Sequence, residues 1–252
     1  MIFYFSATGN CKYVAQRIAA STGETTISIA ECIKQQKFHC SSDNGTVGII
    51  TPTYAWGLPS IVRDFLNALV LDEKPSYLWF LATYGTTSGQ TGRFANEIMQ
   101  KKGFSFATYL SVKMPDTWTP TFDLSNPQKV RRINFDAEPE IDFAIKKIQS
   151  QSAGNYMRNK VPTFAAKMFY GLEYDKMRKT DHFRVESSCI GCGLCARNCP
   201  VQAIEIHDKK PLWIKEQCVM CLSCLHHCPK FAIQYENRTK KHGQYTNPNV
   251  KL

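Results

Sequence analysis

Over roughly the first 110 residues, short unbroken apolar runs alternate with stretches whose apolar positions recur every three or four residues. The runs IFYFS (2–6), VGIIT (47–51), YLWFLAT (77–83) and FATYLSV (106–112) predict buried strands, with TTISI (25–29) a weaker one. Between them Cys11, Val14, Ala15 and Ile18 share one helical face. So do Ile61, Phe65 and Leu69 behind Pro59, and Phe94, Ala95, Ile98 and Met99. Strands that are apolar on both sides and separated by helices need cover on both faces. The pattern predicts an α/β doubly wound domain with a parallel sheet.

Beyond it the pattern changes twice. Residues 114–135 read as a proline-rich loop and 139–150 as a helix. The basic, aromatic stretch 162–178 reads as a second helix, whose rings pack against the domains it joins or lie on a membrane surface. From about residue 180 the chain is cysteine-rich with short elements and a polar, basic tail. The expected division is 1–150, a connector over 151–180, and a second domain over 181–252.

That second domain contains an internal repeat. CIGCGLCARNCP (189–200) recurs as CVMCLSCLHHCP (218–229), an offset of 29 that aligns every cysteine, Pro200 with Pro229, and Ala203-Ile204 with Ala232-Ile233. In each copy three cysteines are spaced by two residues. A fourth follows after three more and precedes proline. Three thiolates so close in sequence wrap one corner of an iron–sulfur cube, while the proline turn carries the fourth away. Two structural zinc knuckles are the alternative, but the third cysteine of each copy is surplus to one. Ile190, Gly191, Gly193, Leu194, Val219 and Leu222, lying between the cysteines, suit close backbone approach and exclusion of water. His226 and His227 read as surface residues.

The spacing, repeat and prolines resemble the bacterial two-cluster ferredoxin. The resemblance implies that Cys189, Cys192, Cys195 and Cys228 ligate one [4Fe–4S] cluster and that Cys218, Cys221, Cys224 and Cys199 ligate the other. Each fourth cysteine then crosses to the partner cluster.

Composition adjusts the picture. The formal charge is +10, which on its own points toward nucleic acid. Two thiolate-ligated cubanes at about −2 each would leave roughly +6, and a bound phosphate group at about −2 would bring this to roughly +4, an ordinary surface excess. No apolar run reaches the ~18–20 residues of a membrane span, and the start lacks the basic-then-apolar pattern of a secretory signal. The cysteine count is odd, and Cys11, Cys32 and Cys40, outside the repeat, read as buried thiols. A soluble cytoplasmic protein is expected, without a nucleic-acid partner.

In a doubly wound sheet the ligand sits beyond the carboxyl ends of the strands. After the first strand, SATGNCK (6–12) opens into a helix. Ser6 and Thr8 supply hydroxyls, Gly9 lets backbone approach, and the N–H groups of Thr8, Gly9, Asn10 and Cys11 make a phosphate cradle that needs no cation. TPTYAWGLP (51–59) and ATYGTTSGQTG (82–92) follow the third and fourth strands at the same edge. Thr53, Tyr54, Ala55, Trp56 and Gly57 offer aromatic faces to a planar ring. Thr83, Tyr84 and Gly85 can bring donors to its polar edge.

These three loops together resemble flavodoxin, which implies the strand order 2-1-3-4-5 and FMN as ligand. The whole chain is similar to the flavodoxin–ferredoxin fusions called ferrodoxins in anaerobic bacteria. One departure is Cys11, where flavodoxins place Ser or Thr. A weaker S–H donor there implies weaker phosphate binding, and a thiol at a helix N-terminus can be reactive. The resemblance implies electron transfer between two [4Fe–4S] clusters and FMN, with a redox protein as partner, an acidic one given ten Lys and Arg against six Asp and Glu over 181–252. The alternatives are an FMN-dependent reductase of a small molecule, with 114–123 (MPDTWTPTFD) as a wall over the flavin, and, more remotely, a zinc-bearing nucleic-acid module.

Overall fold

A computed structural model of the chain describes residues 1–41 and 44–251. In chain order the first elements are β1 (Ile2–Tyr4), α1 (Asn10–Thr22), β2 (Thr26–Ser28), α2 (Ile29–Gln35), β3 (His39–Cys40), β4 (Thr46–Pro52), α3 (Ser60–Ala68), β5 (Val70–Leu71), β6 (Tyr77–Tyr84), α4 (Thr91–Gln100), β7 (Thr108–Lys113), α5 (Pro127–Gln149) and β8 (Gly154–Asn155). The sheet runs β2-β1-β4-β6-β7-β8. All its pairs are parallel, with Phe3 beside Ile49, Ile49 beside Phe80 and Leu81 beside Leu110. With β3 and β5 set aside as a small pair of their own, the first five strands follow the expected order, and β8 extends the edge.

Every residue of β6 is buried, as a central strand covered on both faces must be. One face packs α1 and α5 through Val14, Ile18, Ala137, Ile141 and Ile145. The other packs α2, α3 and α4 through Ile29, Ile61, Phe65, Ala95 and Met99. The helical stripes read from sequence are therefore the buried faces.

α5 corrects the sequence reading. It begins at Pro127, twelve residues before the expected start at 139, capped by the Asn126 side chain, which accepts from the N–H groups of Gln128 and Lys129. Pro139 lies inside it. The proline removes one helical N–H and frees the carbonyl of Phe135. Pro139 and Phe135 are both exposed, so the break falls on the solvent side and the helix continues.

The remaining elements are α6 (Thr163–Met177), β9 (Phe183–Val185), α7 (Leu194–Arg197), β10 (Ile204–His207), β11 (Lys210–Trp213), α8 (Ser223–His226), β12 (Ile233–Tyr235) and α9 (Thr239–His242). β9 pairs antiparallel with β12, and β10 with β11. The sequence repeat is also a backbone repeat. Left-handed residues recur at Gly191 and Met220, Gly193 and Leu222, and Gln202 and Phe231, and α7 and α8 stand at the same offset of 29.

α6 joins the two halves. Tyr174 accepts a hydrogen bond from Ser60 N–H and donates to the carbonyl of Val219, while Tyr170 donates to the carbonyl of Leu58. Val219 packs into the same core as Phe3 and Leu58. The opposite side of α6 leaves Phe164, Met168 and Leu172 exposed. No helix among the described residues is long and apolar enough to cross a membrane.

Candidate functional site

A cavity of about 280 Å³ opens at the carboxyl edge of the sheet. The three loops singled out in the sequence converge on it, and three further segments complete the wall: 114–122, the α6 residues Phe169, Tyr174 and Met177, and Met220, Cys221 and Leu222 of the second cysteine run.

The loop 6–11 is built as a cradle. Among the described residues the backbone N–H groups of Ala7, Thr8, Asn10 and Cys11 have no acceptor. Ser6 Oγ accepts from Gly9 N–H at 3.1 Å, tightening the turn. Gly9 has φ 99°, and a Cβ there would come within 2.9 Å of both Asn247 and Val250. The glycine thus admits the C-terminal tail, and it does not itself line the cavity, which the sequence did not foretell. The Asn10 side chain is committed elsewhere. Its Oδ1 accepts from Tyr245 Oη–H and Asn247 Nδ2–H, and its Nδ2–H donates to the carbonyl of Pro115. Asn10 therefore offers a ligand only its backbone N–H. Asn247 N–H donates to the carbonyl of Thr8 at 2.7 Å, so the tail pins the cradle from behind.

Cys11 lies fully buried with Sγ 3.1 Å from Thr83 Oγ1. Burial pushes its thiol up to about 12, so the idea of a reactive helix-end thiol is overturned: desolvation outweighs the helix dipole.

On the ring side, Tyr54 and Gly57 exchange backbone hydrogen bonds, with Ala55 and Trp56 in left-handed conformation between them. The Trp56 indole stacks on Phe169 of α6 at 4.4 Å and 29°. Tyr54 meets Phe5 edge-on, and burial pushes its hydroxyl well above the usual tyrosine range. Thr53 N–H donates to the carbonyl of Thr83. Tyr84 Oη accepts from Asn159. The N–H groups of Gly85, Thr86 and Thr87 have no acceptor among the described residues, and these residues line the cavity as a second row of unpaired donors.

The cysteines form two sets. Cys189, Cys192, Cys195 and Cys228 line one small cavity together with Ile190, Ile206 and Pro211. Cys199, Cys218, Cys221 and Cys224 line another with Val201, Ile204 and Trp213. Each fourth cysteine stands with the other run. Ala203 N–H points at Cys199 Sγ and Ala232 N–H at Cys228 Sγ, both at 3.2 Å and one repeat apart. Met220 N–H points at Cys218 Sγ. Burial pushes Cys218 up to about 11 and raises Cys221 and Cys224 well above ordinary thiols. Thiolates at these positions require a positive centre such as iron.

His226 corrects the surface assignment. It is buried, with Nε2 2.9 Å from the carbonyl of Thr117 and Nδ1 accepting from Tyr245 N–H. Desolvation lowers it to about 4, and it ties the second cysteine run to the 114–122 wall and to the tail. The sequence carried no signal for this, nor for Met177 or Asn247; for Phe169 it gave only the expectation that the rings of 162–178 pack against the domains they join.

Residues 1–142 match the family described as a flavodoxin domain. The chain belongs to the flavodoxin domain family. Residues 182–229 match a 4Fe–4S dicluster domain, so a flavodoxin domain is followed by a two-cluster ferredoxin domain. No curated protein matches. Solved structures similar to the chain include rubredoxin oxygen:oxidoreductase from the anaerobe Desulfovibrio gigas, at 18% identity over 61% of this chain and 36% of that one, TM-score 0.38. The flavodiiron core from Synechocystis aligns at 21% identity over 58% and 36%, TM-score 0.36. The Trp repressor binding protein from Bacillus subtilis aligns at 12% identity over 61% and 100%, TM-score 0.35. The chain spans 36% of the length of each of the first two.

FMN and two [4Fe–4S] clusters are the cofactors of these domains. The residues present fit them. Two rows of unpaired N–H donors border the flavodoxin cavity, and the ferredoxin domain presents two foursomes of cysteines with backbone N–H groups aimed at sulfur.

Proposed function

We propose that this chain is a cytoplasmic electron-transfer protein that relays electrons between an external redox protein, its two [4Fe–4S] clusters and FMN. A flavin exchanges one or two electrons and each cluster one, so the pair converts between the two kinds of chemistry. Cys189, Cys192, Cys195 and Cys228 would hold the outer cluster. Cys218, Cys221, Cys224 and Cys199 would hold the inner one. Ser6 and Thr8 would take the FMN phosphate through hydroxyls, and Asn10 and Cys11 through backbone N–H, while Gly9, its N–H held by Ser6 Oγ, would shape the turn. Thr53 to Trp56 and Thr83 to Gly85 would border the ring, whereas Gly57 lies against Tyr170 and Phe94 outside the cavity lining.

One observation carries this reading: Cys221 lines both the flavodoxin cavity and the second cysteine cavity. The inner cluster site and the flavin site share a wall. The outer foursome is the more exposed, with Cys192 at the surface and Ile190 58% exposed, which suits it to meet a partner. Lys209, Lys230 and Arg197 are exposed beside it, Lys230 in the cavity lining, Lys209 against Gly191 and Arg197 on the Cys192 carbonyl, which favours an acidic one.

Anaerobic protein carrying all three cofactors should show flavin bleaching that follows cluster reduction in a stopped-flow trace. Bleaching at an unchanged rate in Cys221→Ser protein lacking the inner cluster would defeat the proposal. A second reading, an FMN-dependent reductase of a small molecule, is favoured by the wall that Trp118, Thr121 and Phe122 add to the cavity. Substrate-dependent flavin reoxidation without any protein partner distinguishes it.

A further inference from the structure

The flavodoxin cavity is lined by hydroxyls, aromatic rings, sulfur and backbone. Among its described lining residues Asp116 is the sole acidic or basic side chain. The carboxyl is half-buried at the base of the 114–122 wall. Its Oδ1 accepts from Trp118 N–H at 3.1 Å. On the other side it lies against Gly85, where a Cβ would fall 2.2 Å from Asp116 Oδ2. Only a glycine at 85 leaves room for this carboxyl beside the row of free N–H groups at 85–87.

Desolvation raises the Asp116 carboxyl to about 6, and the Trp118 hydrogen bond offsets part of that. No charged side chain among the described residues acts on it. The other titratable groups in the wall are Cys11, Tyr54, Tyr84, Tyr174 and Cys221, and burial pushes all of them up. On the elements behind the wall, His226 of α8 holds the neighbouring Thr117 carbonyl and is neutral, lowered to about 4. Tyr245 of the tail is raised by burial. Asp116 alone changes charge in the neutral range.

We propose that Asp116 is the proton-exchanging group of this cavity: its carboxyl gives a proton to the ring system bound there on reduction and takes one back on reoxidation. The proposal rests on the FMN reading above. The electrons come singly from the reduced clusters of the ferredoxin domain. The proton comes from Asp116, whose O–H bond breaks as an N–H bond forms on the ring. The carboxylate left behind persists while the ring stays reduced and takes the proton back as that N–H bond breaks on reoxidation.

The test is a mediated redox titration of FMN in the full cofactor-loaded chain, between pH 5 and 8, for the natural protein, Asp116→Asn and Asp116→Glu. Mediators equilibrate the flavin directly, so the result does not depend on whether the clusters feed it. The midpoint potential of the natural protein should change its slope with pH near 6. In Asp116→Asn that break should vanish, with FMN affinity altered less than about tenfold because the amide keeps the shape and the acceptor. In Asp116→Glu the break should remain, displaced along the pH axis. A carboxyl C=O band in the reduced-minus-oxidised infrared difference spectrum should disappear in Asp116→Asn alone. An unmoved break in Asp116→Asn, or weakened FMN binding as that variant's whole effect, would overturn the proposal and leave Asp116 a hydrogen-bond acceptor. Natural protein that binds no FMN would overturn the functional reading first.

Discussion

At the scale of single residues, burial sets the chemistry more than identity does. Asp116 also makes a prediction about stability. Its folded carboxyl sits near 6 against an ordinary 3.8, so the native state binds its proton more tightly than the unfolded chain. Its stabilising contribution is complete below 3.8 and is lost as pH rises through about 6. Asp116→Asn should therefore melt higher than the natural protein by an amount that grows from pH 5 to pH 7.5, worth about 1–2 kcal/mol after solvent screening at the cavity mouth. Thermal melts of cluster-loaded, FMN-free protein at matched scan rate measure it. A second residue-scale prediction concerns Cys199, which sits with Cys218, Cys221 and Cys224 rather than with its own run. Cys199→Ser should remove the inner cluster and spare the outer one, read as loss of roughly half the iron and sulfide and of one set of electron paramagnetic resonance signals, because the fourth cysteine crosses over. Selective loss of the outer cluster would reverse the assignment.

At the scale of elements, the tail after α9 decides how well the cradle is held. Tyr245 and Asn247 converge on Asn10, and Asn247 also holds the Thr8 carbonyl. Gln244 fastens the same segment to the carbonyls of Leu225 and Cys228. The tail thus spans from the second cysteine run to the phosphate loop. Tyr245→Phe combined with Asn247→Ala leaves the buried Asn10 Oδ1 without a donor. It should raise the FMN dissociation constant about tenfold, the cost of one or two buried hydrogen bonds, as followed by quenching of FMN fluorescence. An unchanged constant would reduce the tail to a cover.

At the scale of the whole molecule, the two cysteine sets are unequal in position. The inner set shares Cys221 with the flavodoxin cavity, and the outer set faces solvent among exposed lysines. Some of the basic charge is internally paired, as Lys240 is with Glu186, but Lys209 and Lys230 stand beside the outer set without a carboxylate partner among the described residues. Electron transfer with an acidic protein partner should therefore slow as salt rises through ~0.1 M, where the Debye length falls to ~10 Å. A basic partner should react more slowly at low salt. A rate with the acidic partner that ignores salt, or a faster basic partner, would refute the steering.

The sequence by itself determined the main strands of the sheet, the helices facing it and the fold class. Continuous apolar runs such as 77–83 could only be central strands, and the stripes at Val14, Ala15 and Ile18 or Ile61 and Phe65 could only face a sheet, because the periodicities of helix and strand are local consequences of backbone geometry. The cysteine spacing was equally local, and so was the convergence of three loops after three strands, since a parallel sheet puts those loops at one edge. Tertiary structure decided what sequence distance conceals. α5 runs through Pro139 because that residue happens to face solvent. Asn247, at the far end of the chain, meets Asn10. Phe169 of the connector covers Trp56, and His226 lies buried between Thr117 and Tyr245. Asp116 became chemically distinct only when the fold laid it against Gly85 in a cavity with no other acidic or basic side chain among the described residues. Burial and charge environment are sums over neighbours brought from every part of the chain, and no local pattern encodes that sum.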